Sequence, residues 1–466
     1  MLGIATETDR RAFLRMAGLV GVGATLVAGG LGSVVTSAIA APAAGDAGDL
    51  EILDYALTLE YLESDFYTTG LAKKLVSGRE LELITEIADH ESAHVTAVTA
   101  LIKQLGGTPV AKPAIKYPDE TFKDKAGFLK AASTFEEVGV TAYHGQVGLI
   151  KSGDVLGAAA SIAGVESRHA AVLASLMGGA PFPAPIEKQR TKDEVLAIVK
   201  PFLSRLPDLV RKALMNRRDL IHGQATDVSP RLALGALGNR WALAQAGDFG
   251  SDLDVLNYAL TLEYLESAFY VQGNQAVALS GAEADYLKQI QSDEESHVTT
   301  LTATIKKLGG TPVEAPMVNF GAAFDNRMSF LTASHTFENV GVGAYLGAAG
   351  FVKDKTILQA AAGIFGVEAR HAAIVGNLLG LPAKGGVFMG NTETSKDKAA
   401  VLAAVAPFLV ATPTVPKGAP AMGAGGASDD QTGVALTATG AVLIAGAAAV
   451  AVSRHRRPGG DEETRG

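Results

Sequence analysis

The sequence predicts an all-α protein of two tandem four-helix bundles, each with a short extra helix. An N-terminal export signal and a C-terminal transmembrane helix are expected to flank them. Three observations predict the bundles. The stretch LDYALTLEYLESDFY, Leu53 to Tyr67, returns as LNYALTLEYLESAFY, Leu256 to Tyr270, 203 residues later. Gly and Pro punctuation cuts each repeat into about four long segments without comparable strand alternation. Acids and histidines recur inside these apolar segments in the same order in both copies.

Composition supports the helices and narrows the chemistry. Of 466 residues, 48% are apolar, enough for two or three domains with real cores, and the Ala and Leu content favours helix. A net charge of −9 argues against a nucleic-acid partner. With no cysteine, disulfides, zinc-thiolate sites, iron–sulfur clusters and a rubredoxin-like electron-transfer module are excluded. Any metal site must be built from carboxylate and imidazole.

In chain order, residues 1–40 read as a cleavable leader. Arg10-Arg11-Ala12-Phe13-Leu14-Arg15 resembles the twin-arginine export signal, and Ala38-Ile39-Ala40 is a small-x-small cleavage pattern. Because that route exports folded proteins, a cofactor can be loaded before export. The first repeat, 50–206, divides into helices at roughly 50–75, 78–105, 125–150 and 153–177. Gly106-Gly107-Thr108-Pro109 ends the second helix, as Gly309-Gly310-Thr311-Pro312 does in the second repeat, 253–410. Pro181, Pro183 and Pro185 then lead to a short amphipathic segment ending in Val199-Lys200-Pro201-Phe202, matched later by Ala406-Pro407-Phe408. Residues 207–252 join the repeats. Arg211, Lys212, Arg217 and Arg218 there read as a solvated helix face, and Trp241 to Gly250 as the remnant leader of a duplicated and fused copy.

Residues 411–433 form a flexible Pro/Gly/Ala linker. The uncharged run 434–452 would span roughly 28 Å as a helix, about one bilayer core. Arg454, Arg456 and Arg457 in the tail, 453–466, place that end in the cytoplasm and the repeats outside. Gln431-Thr432-Gly433 and Leu436-Thr437-Ala438-Thr439-Gly440 match a sortase signal only imperfectly, so a membrane anchor is favoured over wall attachment.

The chemistry lies on the helices. In the first repeat, helix one carries Glu60 and Glu63, helix two Glu91 and His94, helix three Glu136, and helix four Glu166 and His169. The second repeat gives Glu263 and Glu266, then Glu294 and His297, Glu338, and Glu368 and His371. Glu and His three residues apart stack on one helix face and can share a metal. One Glu from each of two helices plus Glu-x-x-His from the other two is the ligand set of di-iron and di-manganese carboxylate bundles. Four negative charges per repeat match two divalent cations, which removes the cost of burying acids among Leu, Tyr and Phe. A lone Glu-x-x-His is weak; the whole series repeated is strong.

Both repeats resemble the ferritin-like superfamily, and more narrowly the secreted ferritin-like domain of the desiccation-related type. The matching features are Ala-Leu-Thr-Leu-Glu-Tyr-Leu-Glu, the Glu-x-x-His helix followed by Leu-Gly-Gly-Thr-Pro, and Val-Glu-x-Arg-His, over about 315 of 466 residues. The resemblance implies a di-iron-type centre in each repeat. Its ligands would be Glu60, Glu91, His94, Glu136, Glu166 and His169, then Glu263, Glu294, His297, Glu338, Glu368 and His371. Glu60 is preferred to Glu63 because a tyrosine follows it by seven residues, the ferritin and rubrerythrin pattern. Glu63 and Glu266 then lie beside the ligands, with Tyr67, Tyr143, Tyr270 and Tyr345 as hydrogen-bonding or packing neighbours. Glu136 is preferred to Glu137, whose counterpart is Asn339. His90, His144 and His335 lack counterparts and read as ordinary helix residues; Arg168 and Arg370 read as partners for acids outside the ligand set.

The expected function is a membrane-anchored, exported di-metal protein. It would oxidise Fe(II) with O2 or peroxide, with Mn as the alternative metal, and its repeats would pack as a pseudo-dimer. The rival is a structural or desiccation-protective envelope protein whose metal is structural or absent.

Overall fold

The computed structural model describes residues 45–203 and 249–410, which fall within one compact unit. Among the described residues there are ten α-helices and no strands beyond isolated bridges. The first repeat contains α1 (Ala47–Ala72), α2 (Gly78–Gln104), α3 (Lys125–Gln146), α4 (Gly153–Leu176) and short α5 (Lys192–Val199). The second contains α6 (Asp252–Ala276), α7 (Gly281–Lys307), α8 (Arg327–Ala348), α9 (Lys355–Leu378) and short α10 (Lys398–Val405). The four long segments and the short fifth thus fall where the punctuation puts them. None of these helices is long and apolar enough to cross a membrane. The export signal, most of the inter-repeat linker, the 411–433 linker, the 434–452 span and the tail lie outside the described residues.

Local chemistry sets the helix ends. Asp46, Asp124 and Ser152 cap α1, α3 and α4 by accepting a backbone N–H, and Thr191 with Glu194 forms a reciprocal capping box on α5. After α2 and α7, Gly106 and Gly309 adopt φ of 76° and 77°, which costs a glycine least. The next N–H turns back onto the helix, Gly107 to the Ile102 carbonyl and Gly310 to that of Ile305, each at 2.9 Å.

Within each repeat the helices pair as hairpins, α1 with α2 and α3 with α4, then α6 with α7 and α8 with α9. One end of each bundle is filled by phenylalanines: Phe66, Phe128 and Phe135 in the first, Phe269, Phe330 and Phe337 in the second. The short fifth helix closes that end through its Pro-Phe turn. Phe202 meets Phe135 edge-on, and Phe408 meets Phe337, both at 4.8 Å between centroids. The repeats join chiefly through α4 and α9. These helices are rich in Ala and Gly, which lets their backbones approach closely. A Cβ on Gly164 would lie 2.7 Å from Phe365, so this crossing requires glycine.

Candidate metal centres

Midway along each bundle the four helices turn acids and histidines inward. Glu60 comes from α1, Glu91 and His94 from α2, Glu136 from α3, and Glu166 and His169 from α4; all are buried. Their donor atoms form two overlapping groups. Glu60, Glu91, His94 and Glu166 lie within 4.8 Å of one another, as do Glu91, Glu136, Glu166 and His169. Glu91 and Glu166 belong to both. The second repeat gives Glu263, Glu294, His297 and Glu368, then Glu294, Glu338, Glu368 and His371. Every residue read from the sequence as a ligand is therefore in a cluster. Glu63 and Glu266 are buried beside them but belong to neither group.

Each histidine turns Nδ1 toward the acids. His94 Nδ1 lies 3.3 Å from Glu60 and 3.2 Å from Glu166; His169 Nδ1 lies 3.1 Å from Glu91 and 3.2 Å from Glu136. In the second repeat His297 Nδ1 lies 3.1 Å from both Glu263 and Glu294, and His371 Nδ1 lies 3.0 Å from Glu294. The tyrosines cross between helices within each bundle. Tyr67 of α1 donates to Glu136 of α3, and Tyr143 of α3 donates to Glu60 of α1. Tyr270 and Tyr345 do the same for Glu338 and Glu263. Burial, followed by the neighbouring carboxylate charge, pushes all four phenols well above their usual range, so they stay protonated donors.

The electrostatics describe acids crowded out of water. Burial, reinforced by the charges of Glu91 and Glu136, lifts Glu166 well above the carboxylate range. Burial and the charges of Glu294 and Glu263 do the same for Glu368. Burial also raises Glu63 and Glu266, with Glu166 and Glu368 the next largest influences. Glu263 is raised to about 7, chiefly by burial against the opposing charge of His297. For Glu91 and Glu294 burial is outweighed by the histidine charges and hydrogen bonds, and both are held below the usual range. Burial alone would lower the histidines, but the surrounding carboxylates raise His169 to about 9 and His94, His297 and His371 further.

These residues fit a pair of metal cations. Both oxygens of Glu91, Glu166 and Glu368, with one each of Glu60, Glu294 and Glu338, are buried without a well-aligned hydrogen bond, and the donors nearest them are the histidine Nδ1 atoms of their own clusters. Nδ1 of His94 and of His371 lack one as well. Buried polar atoms normally have well-formed partners, and leaving one without costs about 1–3 kcal/mol. These atoms all belong to residues that make up the clusters. Gly139 and Gly341 leave room there, since a Cβ would come 2.5 Å from Glu166 and 2.7 Å from Glu368.

The outward Nε2 of each histidine is also held. His94 donates to the Asn391 carbonyl at 2.8 Å, and His297 to the Pro185 carbonyl at 2.6 Å. His169 Nε2 meets His90 Nδ1 at 3.0 Å, and His90 Nε2 meets Glu86 at 3.2 Å. His371 Nε2 instead meets Asp293 at 3.3 Å. His90 of α2 thus supports a ligand on α4 of the same bundle, a role its sequence context did not suggest. Burial lowers His90 to about 4, so it is the neutral acceptor. His335 donates to the Gly386 carbonyl, and His144 pairs with Glu187. Arg168 and Arg370 do pair with acids, but those of the other repeat: Arg168 with Glu393, and Arg370 with Glu187 and Glu137.

Against known families, residues 48–179 and 251–381 each match the profile of a ferritin-like domain. No curated protein gives a significant match.

Proposed function

Because the chain belongs to the ferritin-like domain family, we propose that each repeat holds a di-metal carboxylate centre that takes Fe(II) as substrate and oxidises it. The four buried carboxylates and two histidines that converge in each repeat carry this reading, since a pair of cations would satisfy the oxygens of Glu166 and Glu368 that lack a well-formed hydrogen bond. Glu91 and Glu166 would serve both metals, Glu60 with His94 one, and Glu136 with His169 the other. Glu294 and Glu368 would bridge in the second repeat, with Glu263 and His297 on one metal and Glu338 and His371 on the other.

Bound iron would supply one electron per ion to O2 or peroxide. Two Fe(II) with two protons reduce one hydrogen peroxide to two waters, or one O2 to hydrogen peroxide. The protein's part is to hold and screen. The tyrosines fix Glu60, Glu136, Glu263 and Glu338 by donating to them. Buried Glu63 and Glu266 can hold a proton beside the clusters. The twin-arginine motif and the 434–452 span support placing the repeats outside the cytoplasmic membrane, as a fused pseudo-dimer removing iron and peroxide together.

The test is anaerobic Fe(II) loading of the full chain, followed by O2 or peroxide with oxidation recorded optically. Glu91→Ala with His94→Ala is expected to remove about half of the oxidation while helicity stays. Unfolding of that variant would instead favour a structural metal in an envelope protein.

A further inference from the structure

After the fourth helix of each repeat the chain does not return to its own centre. Residues 181–187 run onto the second repeat, and residues 386–393 onto the first. In the first of these loops Phe182 packs edge-on against the His371 ring, 4.8 Å between centroids. Three residues later the Pro185 carbonyl accepts from His297 Nε2 at 2.6 Å. Glu187 then pairs with Arg370 and donates its N–H to the Gly363 carbonyl at 3.1 Å. One loop of the first repeat thus touches both histidines of the second centre and the arginine beside them.

The other loop makes the mirror set. Phe388 packs edge-on against His169 at 5.2 Å, and the Asn391 carbonyl accepts from His94 Nε2 at 2.8 Å. Glu393 pairs with Arg168 and donates its N–H to the Ser161 carbonyl at 2.9 Å. Both glutamates enter over a glycine of the opposite fourth helix. A Cβ on Gly366 would lie 1.8 Å from Glu187, and one on Gly164 would lie 2.6 Å from Glu393. The loops differ in length: Arg168 and Arg370 are 202 residues apart, Phe182 and Phe388 are 206. The same contacts are reached by chains of different length.

We propose that the loops are exchanged positioning devices: 181–187 completes the second centre, 386–393 completes the first, and neither bundle makes a full-affinity centre without its neighbour. A carbonyl fixed on Nε2 sets the tautomer and leaves Nδ1 as the donor to metal, and the phenyl edge stops the ring from turning. This rests on reading the clusters as metal centres.

The test uses the full chain in two single-centre backgrounds made with neutral isosteres. Glu91→Gln with Glu166→Gln silences the first centre, and Glu294→Gln with Glu368→Gln the second. Co(II) binding is followed through its d–d absorption. With only the second centre active, Phe182→Ala is expected to weaken Co(II) about tenfold and shift the bands, and Phe388→Ala to weaken it several-fold less. With only the first centre active, the order inverts. Phe182→Leu, which refills the space over the ring, restores most of the affinity and the band position. It also carries the comparison if the alanine variant does not fold by circular dichroism. Effects confined to the loop's own repeat, or equal at both centres, overturn the exchange while leaving the centres standing. Failure of both backgrounds to bind Co(II) sinks the centres and the exchange with them.

Discussion

The two clusters share one ligand pattern and differ in what stands behind the last histidine. His169 backs onto His90, a neutral ring that passes the contact to Glu86. His371 backs onto Asp293, a carboxylate held in turn by Gln289 at 2.9 Å. A carboxylate behind a ligating imidazole makes it a stronger donor and adds negative charge near the metal; a neutral imidazole does less of either. The duplicated bundle therefore keeps its ligands and varies their support. The second centre should bind divalent cations more tightly than the first.

The largest break in that comparison is to empty one side. Glu91→Gln with Glu166→Gln should reduce the capacity for divalent metal by about half, from about four ions per chain to about two. The remaining affinity should be the tighter component of the wild-type isotherm, measured by calorimetry. If the weaker component survives instead, the ranking of the centres is reversed.

A smaller change sharpens the ranking itself. Asp293→Asn should weaken the second centre by about 10- to 100-fold, and His90→Asp should tighten the first. With both changes together the two phases of a metal titration should exchange order. Unchanged phases would mean that the groups behind the histidines set orientation only.

Smaller still is the loss of one tyrosine. Tyr143→Phe and Tyr345→Phe each remove a donor to a buried glutamate, and should cost about 1–2 kcal/mol of metal-free stability by denaturant unfolding. Equal losses in the two repeats would confirm that the bundles differ at Asp293 and His90 rather than at Glu60 and Glu263.

The mildest perturbation is pH. His169 is raised to about 9 and Glu263 to about 7 in the folded, metal-free chain. A group raised on folding contributes stability that is fully present below its unfolded value and is lost as pH rises through its folded value. The metal-free melting temperature should accordingly fall as pH climbs from about 4.5, the Glu263 reference, through about 9. Bound metal replaces those protons, so the loaded protein should show the opposite slope. Parallel slopes with and without metal would show that the cations bind elsewhere.

Much of this architecture is legible in the sequence because it is carried by side chains on regular helices. Glu91 and His94 lie one turn apart, and their recurrence as Glu294 and His297 marks them out. Glycine and proline place the helix ends, since few other residues satisfy a φ near 76° at Gly106. The support behind the ligands is not legible in this way. Two histidines are held by the carbonyls of Pro185 and Asn391, and a backbone carbonyl leaves no mark on residue identity. His90 has no histidine counterpart because its equivalent is Asp293, a different residue doing a related task. Phe182 and Phe388, with Glu187 and Glu393, do recur, but at an offset of 206, outside the 203-residue register of the first helices.

The most direct measurement is iron anomalous scattering from crystals of the chain loaded anaerobically with Fe(II). Two peaks in each bundle, about 3.5–4 Å apart, are expected between Glu91 and Glu166 and between Glu294 and Glu368. Bundles without iron at those positions, or with iron bound only at surface carboxylates, would contradict the assignment of paired metal centres.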